Sequence, residues 1–158
     1  MREVHLAGVV VGNVAAILND APMLTRDVDI FVGDKPRVRK KMDALAKALA
    51  GAAPQPILEK PGARGRPGAF DGVRITTQVV PVDVLFRLAG EMSFDDVRAR
   101  AKTFDFGGEA LAVASLEDVI RSKEAADRKK DRAALPILRD TLAVKKKLDL
   151  VERNRKKE

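Results

Sequence analysis

The chain has 158 residues, 46% of them hydrophobic and 34% charged, which is the composition of one globular domain rather than of a disordered segment. It has no Cys, Trp or Tyr and a single His, His5, so disulfides, thiolate nucleophiles and multi-histidine zinc sites are excluded, and aromatic stacking on bases has few candidates. Thirty Lys and Arg against 23 Asp and Glu leave a net charge of +7, of which +4 falls in residues 145–158.

In chain order, Leu6–Val11 reads as a short buried strand, broken by Gly12-Asn13, and Val14–Leu18 as a helix. Asn19–Met23 is a turn, with Pro22 stopping regular structure. Thr25–Val32 is the second strand, and Arg37–Leu49 an amphipathic helix with Val38, Met42, Leu45 and Leu49 near one face. Residues 51–72 are rich in Pro and Gly; a short strand is expected at Pro56–Glu59, and a mobile basic loop around Arg64 and Arg66. Val73–Thr77 and Val79–Phe86 are strand-like, the second interrupted by Pro81. Ser93 caps a helix expected to reach about Thr103, Phe104–Gly108 reads as a loop, and Glu109–Ala114 as a strand. Ser115 caps a helix expected to run to about Arg132, and Pro136 suits the first turn of a further helix ending near Leu142. Helices between strands, with more helix at the C-terminal end, predict an α+β domain with a mixed sheet.

No run of about 18 apolar residues occurs, so no membrane span is expected. The opening residues lack the apolar core of a signal peptide, so the expected location is cytoplasmic.

The chemistry-bearing residues are acids on strands. Asp27 and Asp29 are two apart, so on a strand both point to one face. Two carboxylates side by side repel each other and resist burial, and a divalent cation such as Mg²⁺ or Mn²⁺ removes both costs. Two acids facing solvent on an edge strand is the other reading. Asp83, isolated in the apolar run Val82–Phe86, needs a partner or a path to water. If its strand lies beside the first, three carboxylates converge in a geometry suited to two metal ions. Gly12-Asn13, at a strand-to-helix junction, offers backbone N–H groups to a phosphate, or is a plain turn. In the late helix, Leu116, Ile120, Lys123, Asp127 and Ala134 fall on one face, which puts Lys123 and Asp127 on a cleft or on a solvated surface laced by i,i+4 pairs.

Taken together, Val10-Val11-Gly12-Asn13-Val14, Thr25-Arg26-Asp27-Val28-Asp29-Ile30, Val82-Asp83-Val84-Leu85 and the run Val113–Arg132 resemble the nucleotidyltransferase superfamily that includes DNA polymerase beta. The closest likeness is to its minimal bacterial and archaeal members, including those of toxin–antitoxin and abortive-infection systems. The resemblance covers residues 4–142. It implies a nucleotidyltransferase-like mixed sheet with flanking helices over residues 1–144, followed by a basic tail at 145–158. It implies Asp27, Asp29 and Asp83 as catalytic metal ligands for Mg²⁺ or Mn²⁺. Gly12, Asn13, Thr25, Lys123 and Asp127 would then line the nucleotide site, with Asp131 as a second candidate for orienting Lys123 or an Arg. Asn13 stands where the family usually carries Gly or Ser.

The implied activity moves a nucleoside monophosphate from an NTP, ATP foremost, to a hydroxyl on a protein, an RNA or a small molecule. A homodimer or a cognate toxin or antitoxin protein is an implied partner. The alternative is a catalytically weak or inactive partner protein of the same fold in a toxin–antitoxin-like system. A nucleic-acid binder using the basic tail is a third reading, for which the sequence has no recognition motif.

Overall fold

Alternation of side chains along two strands sets the frame of the protein. A computed structural model describes residues 7–33, 36–50, 55–58 and 71–156, so His5, Arg64 and Arg66 lie outside the described residues. The elements are β1 (Val9–Val11), α1 (Gly12–Leu18), β2 (Val28–Phe31), α2 (Pro36–Arg39), α3 (Met42–Ala50), β3 (Gln55–Leu58) and β4 (Asp71–Ile75). They continue with β5 (Val82–Arg87), α4 (Phe94–Arg100), β6 (Lys102–Phe106), β7 (Glu109–Val113), α5 (Leu116–Ala126) and α6 (Lys129–Arg155). The strands form one seven-stranded sheet in the order β3-β4-β5-β2-β1-β7-β6. β2 runs parallel to β5 and β1 parallel to β7, while the remaining neighbours are antiparallel. The fold is therefore a mixed α+β one, with helices against a mixed sheet.

On β5, Val84 and Phe86 pack with Met42, Leu45 and Ala46 of α3 on one side of the sheet. Leu85 faces the other side, into the larger core built with Ala15 and Ala16 of α1, Val97 of α4, Val119 of α5 and Leu138 of α6. On β2, Ile30 takes the α3 side and Phe31 the larger core, where its ring meets Phe94 edge-on at 5.5 Å. Because strand side chains alternate, Asp29 shares the face of Phe31, and Asp83 the face of Leu85. The parallel register places Asp29 directly beside Asp83. Among the described residues no helix is long and apolar enough to cross a membrane.

Four departures from the sequence expectations have physical causes. The expected helix over Arg37–Leu49 is split into α2 and α3 by a turn at Lys40-Lys41, where Lys41 N–H donates to the Val38 carbonyl. A single helix would stack Arg37, Lys40 and Lys41 within one turn, and like charges at that spacing repel. The expected loop at Phe104–Gly108 begins inside β6, which pairs with β7 across a turn at Gly107-Gly108. Both glycines have positive φ, +61° and +85°, as a tight hairpin turn requires. The late helix breaks at Asp127, which is left-handed at φ +50°, rather than running on to Arg132. Pro136 lies inside α6 instead of opening a helix. It and Arg132 are both exposed, so the carbonyl left without its helical donor faces water.

Candidate active site

The site lies at the end of the sheet where β1, β2 and β5 meet the start of α1. A cleft of about 200 Å³ opens there, with the carboxylates of Asp27, Asp29 and Asp83 on its floor. β2 begins at Val28, so Asp27 stands just ahead of the strand rather than within it. Thr25 holds it there: the Thr25 hydroxyl donates to the Asp27 carbonyl at 2.9 Å and contacts Asp27 Oδ1 at 3.1 Å. Thr25 thus supports an acid and is not part of the cleft lining.

Gly12 has a structural task at this point. Its φ is +64°, and a Cβ placed on it would stand 2.1 Å from Asp29 Oδ2. Only glycine lets the Asp29 carboxylate lie against the start of α1. Gly12 and Asn13 both line the cleft, with this carboxylate beside them. Asn13 follows, donating from Nδ2 to the Leu24 carbonyl at 3.1 Å, while its Oδ1 is buried without a partner among the described residues. The Asn13 side chain thus ties α1 to the segment ahead of β2.

Asp29 has a pKa of about 7, raised from 3.8. Burial is the first cause, the charges of Asp27 and Asp83 add to it, and Lys123 and Lys130 partly offset it. A two-pronged contact in the site comes from a residue with no signal of its own in the sequence. Arg74 of β4 is the cross-strand neighbour of Asp83. Its Nε donates to Asp83 Oδ1 at 2.7 Å and an Nη to Asp83 Oδ2 at 2.6 Å, and it reaches Asp27 Oδ2 at 3.5 Å. These bonds raise the Arg74 pKa above its already high value; partial burial opposes them and the nearby acid charges reinforce them. In the sequence Arg74 is only an arginine in the strand-like run Val73–Thr77, and its partner depends on strand register, which the sequence alone does not give.

The opposite wall is basic. Lys123 of α5, with Arg128 and Lys130 around the start of α6, lines the cleft. Asp131, with no exposed surface, holds two of these cations. It accepts from Arg128 Nε at 2.5 Å and from Lys123 Nζ at 3.4 Å. Asp127, expected beside Lys123, is placed elsewhere. As the left-handed residue ending α5 it is not among the residues lining the cleft, and it pairs with Arg132 at 3.0 Å. The helical-face reading failed at this residue because it presumed one unbroken helix. Arg128 and Lys130 were missed for the same reason, since the break at Asp127 is what turns the start of α6 toward the acids.

The donor chemistry suits a hard divalent cation, with three carboxylates and one of them costly to ionise without a counter-charge. The present arrangement is different. Among the described residues no group of three or more acidic or His side chains is set to hold a metal ion. The Arg74 guanidinium takes both oxygens of Asp83, so the donor set fits a metal only when Arg74 lets Asp83 go. Compared with known proteins, the chain matches no family model and no curated protein. The resemblance to nucleotidyltransferases therefore rests on the motif residues alone.

Proposed function

We propose that the chain is a minimal nucleotidyltransferase that moves an NMP group from an NTP to a hydroxyl acceptor with the help of Mg²⁺ or Mn²⁺. The observation that carries this reading is the adjacency of Asp29 and Asp83 on parallel strands, with Asp27 beside them, facing a wall of Lys123, Arg128 and Lys130 across one cleft. Acids on one wall and bases on the other match a substrate that is a polyphosphate. In the reaction, the acceptor oxygen bonds to the α-phosphorus. The bond from that phosphorus to the bridging oxygen breaks, and pyrophosphate leaves with the electron pair.

The chain's own residues have distinct tasks in this reading. Lys123 and Lys130 take phosphate oxygens, and Asp131 fixes the direction of Lys123 and Arg128. Asp83 receives the proton of the acceptor hydroxyl. Asp27, Asp29 and Asp83 would hold the cation, which supplies charge at the phosphates and at the attacking oxygen. Arg74 keeps the acids neutralised until substrate and cation arrive together. The test is transfer of label from an α-³²P-NTP in the presence of Mg²⁺ to protein, RNA and small-molecule acceptors. Label transferred by the wild type and lost in Asp29→Asn and Asp83→Asn supports the reading. Absence of transfer with every acceptor class removes it.

A second reading has its own observation. The Arg74–Asp83 contact and the half-buried, hydrogen-bonded Asn13 suit a protein that keeps the fold and has closed the site with an internal cation. Such a protein would be a weak or inactive partner in a toxin–antitoxin-like pair. It predicts no transfer and no Mn²⁺ binding even in the presence of NTP.

A further inference from the structure

The far half of α6 carries an apolar stripe that the body of the protein does not cover. Beyond Leu142, every residue up to Lys156 except Lys145 is exposed; Lys145 and Lys146 still pair with Asp20 and Glu117 of the body, and past them the helix projects into solvent. Helical stability comes mostly from packing of an apolar face, so a projecting half-helix that carries such a face is expected to have a partner. Ile137, Val144 and Val151 recur every seven residues, and Thr141 and Leu148 follow the first two by four. That is the spacing of a two-stranded coiled-coil seam. Val144, Leu148 and Val151 are 56%, 58% and 50% exposed, which is far from the core-facing Leu138 at 0%. Leu150, also exposed, lies off the seam.

The charges beside the seam say what covers it. We propose that this stripe docks on the same stripe of a second copy of the chain, with the two helices parallel. In a parallel pair, the residue just before one seam position faces the residue five further on in the partner helix. Asp140 then meets Lys145 of the second copy, and Lys147 meets Glu152, on both sides of the two-fold axis. Lys145 also pairs with Asp20 of its own body, and an ammonium has donors enough for both acids. An antiparallel pair that sets Val144 against Leu148 and Thr141 against Val151 instead puts Lys147 against Lys147 and Lys145 against Lys145. Opposite charges favour the parallel arrangement and like charges oppose the other.

The test uses the full chain, which has no cysteine of its own. Sedimentation equilibrium at micromolar concentration is expected to give twice the 17.2 kDa chain mass. Leu148→Asp is expected to give monomers with the circular dichroism of the folded body retained. Lys147→Glu is expected to weaken dimerisation at least tenfold, and Lys147→Glu with Glu152→Lys to restore it. Val151→Cys is expected to form a disulfide-linked dimer under mild oxidation, because residue 151 faces its own copy only in the parallel pair. A monomeric wild type overturns the proposal. So does a dimer indifferent to Leu148→Asp or to the charge changes, or one that Val151→Cys fails to cross-link.

Discussion

Arg74 grips both oxygens of Asp83, at 2.7 and 2.6 Å, and reaches Asp27 at 3.5 Å, so one guanidinium bridges two of the three acids in the cleft. A guanidinium fork matches a carboxylate in two parallel bonds, which makes this one of the stronger pairings available to a protein. Asp83 is nearly buried while Arg74 is 43% exposed, so the arginine is the partner free to leave. Arg74→Gln should lower stability in metal-free buffer by about 1–2 kcal/mol, a value reduced for the exposure of Arg74. The same change should tighten Mn²⁺ binding about tenfold, or about 1.4 kcal/mol. Thermal melts with and without MnCl₂ check both. A variant that gains no more from Mn²⁺ than the wild type would show that Arg74 and the cation do not compete.

Gly12→Ala probes the approach of Asp29 to α1. A left-handed Ala costs roughly 1–2 kcal/mol by itself. The new Cβ would also need the space held by Asp29 Oδ2, 2.1 Å away, so the carboxylate must turn aside. The expected result is a loss of stability of about 2 kcal/mol or more in urea unfolding. Gly107→Ala, also at positive φ but with nothing within 4 Å, measures the backbone cost alone. Equal losses in the two variants would mean that Asp29 does not press on Gly12.

Much of this site was legible in the sequence because strand periodicity is local information. Asp29 shares a face with Phe31, and Asp83 with Leu85, by alternation alone, and apolar neighbours mark both runs as buried. Whether the two strands adjoin is not local, and the register that pairs Asp29 with Asp83 came only with the fold. Arg74 was invisible for that reason, since an arginine on a strand has no partner until its neighbour strand is known. Asp127 misled because a single residue at φ +50° ends α5 where the helical pattern continued unbroken. The hairpin of β6 and β7 escaped because β6, Lys102–Phe106, is exposed at every position but Phe104 and so carries no buried stripe to mark it as a strand.

The pKa of Asp29 gives a pH dependence with a definite sign. It is 3.8 in an unfolded chain and about 7 in the fold, so ionising Asp29 opposes folding. The neutral acid's contribution is fully present below pH 3.8, is lost as pH rises to about 7, and changes no further above that. Asn cannot ionise. In EDTA, Asp29→Asn should therefore melt with the wild type near pH 3.8 and progressively above it as pH rises to about 7, with the gap then constant. Paired melting curves across that range check this. A gap that is independent of pH would mean that Asp29 titrates normally.

Asp131 and Asp127 are four residues apart and should respond to substitution in opposite ways. Asp131 is fully buried and holds Lys123 and Arg128, so Asp131→Ala leaves two cations near each other without their shared acceptor. A cost of about 3 kcal/mol is expected, the lower end for breaking a buried ionic contact, because Arg128 is partly exposed. Asp127 pairs with Arg132 at the surface, and its left-handed backbone suits Gly, so Asp127→Gly should change stability by less than about 1 kcal/mol. Asp131→Asn, which keeps the shape and removes the charge, should still fold and should weaken NTP binding about tenfold by releasing Lys123 and Arg128 from their directions. Calorimetric titration with a non-hydrolysable NTP separates the two positions. Weaker binding in Asp127→Gly with normal binding in Asp131→Asn would reverse the assignment and return Asp127 to the nucleotide site.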